Sequence, residues 1–161
     1  MVRSLAVVGA VVAVILLLNA RDERPVVREV DYAVPLSQAR EAASYDVLGP
    51  VGLGERWRAN SVRLPIEDGG LTWHVGFVTP RDDYAGLEQS ESTPRTFIER
   101  FAEGSRATGE VVIGERSWQR REGGDPEPRA LVLRDAASTT VVAGTASWSE
   151  LEELAGSLRA G

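Results

Sequence analysis

Residues 71–80 read LTWHVGFVTP, and their pattern is that of a β-strand with one buried face. Leu71, Trp73, Val75 and Phe77 alternate with residues that are polar or small, which is the period of two expected for a half-buried strand. A Gly-Gly pair precedes the strand and a proline follows it, so turns are expected at both ends. Strands joined by tight turns pair antiparallel. This stretch therefore predicts an antiparallel sheet over an apolar core.

Further strands and helices are predicted on both sides of this stretch. Alternating patterns separated by turn residues predict strands at residues 26–30, 56–64, 84–90, 109–113, 116–121, 129–133 and 139–145. Helical patterns predict helices at residues 35–44, from Thr93-Pro94 through Phe101, and from a Ser147-x-x-Glu150 capping box through Leu158. The glycines and the proline of residues 49–54 predict turns and not a phosphate-binding loop, because a strand follows them. The predicted fold class is α+β, an antiparallel β-sheet packed with helices.

The N-terminal segment differs in composition from the rest of the chain. Residues 5–18 read LAVVGAVVAVILLL, and inserting their large aliphatic side chains into a bilayer would gain about 3–6 kcal/mol. We expect residues 1–20 to be a transmembrane signal anchor, residues 21–34 a tether and residues 35–161 an extracytoplasmic α+β domain. Leu5 to Leu18 would contact the lipid bilayer of the cytoplasmic membrane, with the single-pass chain holding its C-terminal domain outside. Cleavage of a signal peptide near Ala20 is the alternative.

Composition sets the size of the domain and excludes several kinds of site. Without the anchor about 140 residues remain, which is typical of one domain. The net charge of −6 argues against nucleic acid as a partner, because surfaces that bind nucleic acid are basic. The sequence has no cysteine and one histidine, which excludes thiolate nucleophiles, disulfides and His-rich metal sites. We expect no cofactor.

Residues that could act as acids, bases or nucleophiles show no catalytic motif. The single histidine, His74, is placed by the alternation on the opposite face of its strand from the large apolar residues. A histidine in the middle of a strand is most often a structural polar group, so we expect no catalytic role for it. The acidic residues near turns and strand ends, among them Asp82 and Glu88, have no distinguishing spacing and are expected to be solvated. The protein is therefore not expected to be an enzyme.

Two of the tryptophans are the best candidates for an interaction surface. Trp57 is followed by Arg58, and Trp118 is followed closely by Arg120, so we expect both indoles to be partly exposed. Aromatic residues and arginine are enriched in the cores of protein interfaces. The candidate interaction surface therefore consists of Trp57, Arg58, Trp118 and Arg120. Cation–π packing across the sheet of an isolated domain is the alternative.

Several motifs give the chain a resemblance to a known family. They are YDVLGPVGLGERWRANSVR at residues 45–63, LTWHVGFVTP at 71–80, DYAGLEQSES at 83–92, TPRTFIERF at 93–101 and VVAGTASWSELEELAGSL at 141–158. Together with the N-terminal apolar run, they resemble the actinobacterial membrane-anchored family catalogued as domain of unknown function 4245. The resemblance implies one N-terminal membrane helix, one extracytoplasmic domain, and no assigned activity or site residue. The order of elements is also similar to that of PsbP-like domains, which mostly act as protein-binding accessories.

Two functions are compatible with these observations. The first is a membrane-tethered extracytoplasmic interaction module of the cell envelope, which binds an envelope protein or a wall component. The second is a carrier or sensor of a small hydrophobic ligand held between the sheet and the helices. A closed and filled core would favour the interaction module, and an open apolar pocket would favour the carrier.

Overall fold

The structure, a computed structural model, describes residues 29–67, 70–91, 94–125 and 127–161. The elements in these ranges are α1 (Ala33–Ala42), β1 (Gly49–Pro50), β2 (Arg58–Arg63), β3 (Ile66–Glu67), β4 (Gly70–Val78), β5 (Tyr84–Ser90), α2 (Pro94–Phe101), β6 (Arg106–Ile113), β7 (Arg116–Glu122), β8 (Arg129–Arg134), β9 (Thr139–Gly144), α3 (Trp148–Ser157) and β10 (Leu158–Arg159). No helix within them combines the length and the apolar composition required to cross a membrane. The predicted anchor, most of the predicted tether and the turn before β4 lie outside the described residues.

An eight-stranded antiparallel sheet forms the centre of the fold. Its strand order is β2-β4-β5-β9-β8-β7-β6, and β3 pairs with the start of β4. All of its strand pairs run antiparallel. With the three helices of the described ranges, the sheet confirms the predicted α+β class.

One face of the sheet, here called the core face, is covered by α1 and α3. It carries the apolar residues of β4 that the alternation predicted to be buried. Many residues of this face and of the segments packed on it are fully buried, with 0% exposure: Ala39, Trp73, Val75, Ala85, Leu87, Trp118, Leu131, Val142, Ala146, Leu151, Leu154 and Leu158. The space between this face and the two helices is therefore filled by the protein's own side chains.

The opposite face of the sheet has an apolar part and a polar part. On the apolar part, Phe97 and Ile98 of α2 pack on side chains of β8 and β9, which are Ala130, Val132, Val141 and Ala143. The polar part, formed by β2, β4 and β5, carries His74 opposite Glu88 on the neighbouring strand. We call this part the polar face. It confirms that His74 points away from the apolar residues of its strand.

The first described segment differs from the predicted elements. Within the predicted strand at residues 26–30, Glu29 and Val30 are not in a strand, although the Val30 N–H donates to the Ala59 carbonyl at 2.9 Å. Helix α1 begins at Ala33, two residues before its predicted start. The Asp31 carboxylate accepts the Ala33 N–H at 2.8 Å and so binds an N–H that has no partner within the helix.

The predicted capping box is present at the start of α3, but the end of this helix differs from the prediction. The Ser147 hydroxyl accepts the Glu150 N–H at 3.4 Å, and the Glu150 carboxylate accepts the Ser147 N–H at 3.2 Å. Leu158 was predicted to lie in the helix and instead pairs with Pro50 in a two-stranded sheet. The glycine-rich stretch thus provides a short strand as well as turns.

Replacement of Leu151 by Ala tests the packing of α3 on the core face. Leu151 has 0% exposure, so the cavity left by the substitution should lower the free energy of unfolding by about 2–5 kcal/mol. Val34→Ala is the matched control, because Val34 is also helical but 64% exposed, and it should change stability by less than about 0.5 kcal/mol. Urea unfolding followed by circular dichroism gives both values. Equal effects of the two substitutions would contradict the described packing of α3.

Candidate functional site

Three neighbouring strands bring a histidine, an acid and a hydroxyl together on the polar face. His74 of β4 pairs in register with Arg63 of β2 on one side and with Glu88 of β5 on the other. His74 Nδ1 is hydrogen-bonded to Glu88 Oε1. His74 Nε2 lies 3.0 Å from Ser61 Oγ and 3.3 Å from Arg63 Nη2. Glu88, His74 and Ser61 therefore form a continuous hydrogen-bonded chain.

An irregularity in β2 places Ser61 on the polar face. Ala59 is paired with Phe77 and Ser61 with Gly76, so Asn60 is an extra residue, as in a β-bulge. In a regular strand Ala59 and Ser61 would point to the same face, because side chains alternate. The bulge instead lets Ala59 pack in the core while Ser61 contacts His74.

The hydrogen-bond partners of His74 determine its tautomer. An ionised carboxylate only accepts hydrogen bonds, so the Nδ1 that contacts Glu88 carries the hydrogen. Nε2 is then the acceptor, and it can receive a hydrogen from Ser61 or from Arg63. The Ser61 hydroxyl has a second possible acceptor in Asn60 Oδ1, at 3.2 Å.

The histidine and the acid are much less exposed than the serine. His74 and Glu88 expose 2% and 6% of their surface, whereas Ser61 is half-buried. The expectation that Glu88 is solvated is therefore wrong. Burial raises the pKa of Glu88, while the hydrogen bond from His74 and the charge of Arg63 act in the opposite direction.

Tyr84 covers part of the polar face beside these residues. A Cβ at Gly76 would lie 3.0 Å from the Tyr84 ring, and one at Gly86 would lie 2.7 Å from its hydroxyl, so the two glycines make room for the side chain. Burial is the largest cause that raises the pKa of Tyr84 to about 12, and the nearby charges of Glu88 and Glu127 also raise it. The phenol therefore keeps its proton at neutral pH.

A second carboxylate lies close to Glu88. Glu127, between β7 and β8, has a buried Oε2 without a hydrogen-bond partner among the described residues. Burial is the larger cause that raises the pKa of Glu127, and the charge of Glu88 raises it further. These acids do not form a metal site, since no group of three or more His, Asp or Glu side chains in the described ranges could hold a metal ion.

The four residues of the predicted interaction surface lie at two distant places in the sheet. Trp57 immediately precedes β2 and Trp118 lies in β7, with four strands between β2 and β7. The expectation of partly exposed indoles is wrong, because Trp57 exposes 6% and Trp118 exposes 0% of its surface. Both rings belong to the apolar core cluster, where their large area is better buried than solvated.

The two arginines of the predicted surface are held by neighbouring side chains. Arg58 Nη2 donates to Asp82 Oδ1 at 2.7 Å. Arg120 pairs with Glu152 of α3, and its guanidinium carbon lies 5.1 Å from the centroid of the Trp148 ring. Cation–π packing within the domain, the alternative considered for these residues, is thus present at Arg120.

A groove of about 640 Å³ lies beside the first described residues of the chain. It is lined by Glu29, Val30, Asp31, Tyr32, Leu53, Gly54, Glu55, Trp57, Ala59 and Phe77. Three of these ten residues are acidic and none is basic. All three acids are exposed, so the groove presents negative charge to solvent.

Sequence comparison identifies the family of the chain. A family model described as "Protein of unknown function (DUF4245)" matches residues 1–158. The chain belongs to this family. No curated protein and no solved structure matches it. The candidate site residues of this DUF4245 protein, on the polar face and in the acidic groove, are therefore chosen from the geometry of the structure alone.

Sequence reasoning missed most residues on and beside the polar face. Ser61, Arg63 and Glu127 were not singled out, and Glu88 was assigned to the solvated surface. The position of His74 was predicted correctly. The alternation of β4 and β5 could have shown that His74 and Glu88 share a face, since both strands were predicted and a short turn joins them. No pattern in the sequence predicts the bulge that brings Ser61 to the same face as His74.

Replacement of Glu127 by Gln tests the electrostatics of the polar face. The pKa values of Glu88 and Glu127 are raised in the folded protein above 4.5, so the folded state binds protons that the unfolded state releases. Their contribution to stability is present at acid pH and is lost as the pH rises through the raised values. We expect Glu127→Gln to raise the melting temperature at neutral pH, because it removes a charge that Glu88 repels.

The same substitution should also flatten the dependence of melting temperature on pH above pH 4.5, where the raised pKa values lie. Thermal unfolding followed by circular dichroism at several pH values measures both effects. The control is Glu115→Gln, at an exposed turn position. A Glu127→Gln protein that is less stable than wild type at neutral pH would show that the carboxylate is not repelled.

Proposed function

We propose that this DUF4245 protein is a membrane-tethered extracytoplasmic binding module of the cell envelope, and that its acidic groove accepts a basic segment of another envelope protein. The observation that carries the proposal is the charge of the exposed groove wall, which is formed by Glu29, Asp31 and Glu55. Complementary charge steers partners together and excludes partners of the same sign. A segment rich in arginine or lysine fits this wall.

The groove suits a charged partner better than an apolar ligand. Its sheet-side residues Phe77, Ala59 and Trp57 expose only 1%, 4% and 6% of their surface, because they already pack within the domain. An apolar ligand would therefore find little apolar surface to cover. The filled core face supports the same choice, since a carrier would need unfilled space between the sheet and the helices.

The membrane tether is the second part of the proposal. It is supported by the apolar run at residues 5–18 and by the position of the groove, because the lining residues 29–32 belong to the predicted tether at residues 21–34. A partner bound there would be held where the tether joins the domain. An actinobacterial source is supported by the use of arginine at every basic position, which GC-rich codons favour. The PsbP-like order of elements supports a binding role by analogy alone.

A reporter fused after Gly161 tests the topology. We expect an enzyme that is active only outside the cytoplasm to be active in this fusion, because the apolar run should hold the domain outside. Intact-mass measurement of the protein from membranes should show that residues 1–20 are retained. Activity of a cytoplasm-specific reporter alone would overturn the topology, and a mature N-terminus at Arg21 would overturn the anchor.

Binding of model peptides tests the acidic groove. An eight-residue peptide with four arginines and four alanines should bind the full chain with an affinity that falls as salt is added, whereas its glutamate counterpart should not bind. Reversing the groove charges with Glu29→Lys, Asp31→Lys and Glu55→Lys should cost about 1.4 kcal/mol or more, a tenfold loss of affinity. Isothermal titration calorimetry measures each affinity.

A second triple variant controls for the overall change in charge. Glu103→Lys, Glu115→Lys and Asp135→Lys reverse three exposed acids that do not line the groove. This protein should bind the arginine peptide nearly as well as wild type. Equal loss in both triple variants would mean that net charge and not the groove attracts the peptide, and absence of binding to wild type would refute the basic-segment proposal.

A further inference from the structure

The polar face contains the hydrogen-bonded order of a nucleophilic serine site. Glu88 holds His74 through Nδ1, and His74 presents Nε2 to the Ser61 hydroxyl at 3.0 Å. In such sites the imidazole takes the serine proton, and the acid fixes its tautomer and stabilises the imidazolium. This arrangement is recognised by geometry and by the roles of the groups, whatever their order in the sequence.

The burial of the three side chains also fits this role. The imidazole and its acid are almost completely buried, which holds them in one orientation and excludes water around them. Ser61 is half-buried and lies on β2, next to the bulge at Asn60, so it is the most exposed of the three residues. β-bulges are over-represented next to active sites, where they re-aim a side chain.

We infer that Ser61, His74 and Glu88 form a nucleophilic site that cleaves carboxylic esters, an activity beyond the binding role proposed above. Ser61 Oγ attacks the ester carbonyl carbon as its proton passes to His74 Nε2, and that proton then leaves with the alcohol. Water attacks the acyl-serine, gives a proton to Nε2, and the acid departs as Ser61 regains its hydrogen. The overall reaction converts ester and water into acid and alcohol.

Arg63 supplies the positive charge that this reaction needs. Its Nη2 lies 3.3 Å from His74 Nε2, beside the nitrogen that faces Ser61. As the carbonyl oxygen gains negative charge in the transition state, a guanidinium beside it stabilises that charge. Arg63 is exposed, so its side chain can move from Nε2 to the substrate when one is bound. The expectation that His74 has no catalytic role is the opposite of this inference.

A fluorophosphonate probe tests the nucleophile on the full chain purified in mild detergent. Ser61 Oγ should attack phosphorus, with fluoride as the leaving group and the hydroxyl proton taken up by His74. Intact-mass measurement should show one adduct, and peptide mapping should place it on Ser61. Ser61→Ala should remove the labelling, whereas Ser117→Ala, at an exposed serine of β7, should retain it.

Two further variants test the roles of His74 and Glu88 in activating Ser61. His74→Gln and Glu88→Gln should each slow labelling by about 100-fold or more, because the general base or its tautomer is lost. Release of nitrophenolate from p-nitrophenyl acetate should show the same pattern and should cease in Ser61→Ala. Thermal unfolding verifies that each variant is folded, and the Ser61→Ala comparison decides the nucleophile even where a His74 variant unfolds.

Each remaining outcome would overturn the inference. Folded wild-type protein that is not labelled, or labelling that persists in Ser61→Ala, would mean that the three residues form only a structural polar network. An unchanged labelling rate in folded His74→Gln would mean that Ser61 reacts without help from His74. These results leave the binding proposal unaffected, because Ser61, His74 and Glu88 do not line the acidic groove.

Discussion

The pairing of β5 with β9 is the interaction on which the rest of the structure depends. It joins the strands of the first half of the domain, β2 and β4, to those of the second half, β8, β7 and β6. The contact is close at Gly144, where a Cβ would lie 2.0 Å from the Tyr84 carbonyl oxygen, so only glycine allows it. Without this pairing neither face of the sheet would be continuous, and α3 could not pack across both halves.

The two faces of this sheet meet different physical requirements. On the core face, burial of apolar area stabilises the domain, and the buried Gln89 is hydrogen-bonded to the backbone at Asp46 and Leu48. On the polar face, charged groups lose solvent and must be compensated by one another. His74 and Arg63 compensate Glu88, whereas one oxygen of Glu127 has no such partner within the described ranges. Side chains arranged at this cost to stability are more typical of functional sites than of cores.

The sequence predicted the regular parts of the fold because their signals are local. The alternation in β4 and the capping box of α3 each depend on residues close together in the chain, and both are present. The fold class followed from the same local patterns and short turns. Trp118 shows where local reasoning fails. Its neighbour Arg120 suggested an exposed position, but Glu152, far away in sequence, holds that arginine beside the Trp148 ring.

The polar face was difficult to predict for a related reason. Counting by twos from Ala59 would place Ser61 in the core, because the count cannot include an unpaired extra residue such as Asn60. Glu127 lies in a loop, and no periodicity predicts that the charge of Glu88 acts on it. Such contacts depend on the register of several strands together.

The short pairing of β1 with β10 has a consequence for the time at which the domain can fold. It joins Gly49 and Pro50 to Leu158 and Arg159, so the last described strand pairs with the first described strand. Contacts between distant parts of a chain form slowly, because a long loop must close before they are made. In the proposed topology the residues that follow the anchor cross the membrane first, so this pairing cannot form until almost all of the chain has crossed. The domain would therefore complete its fold only outside the cytoplasm.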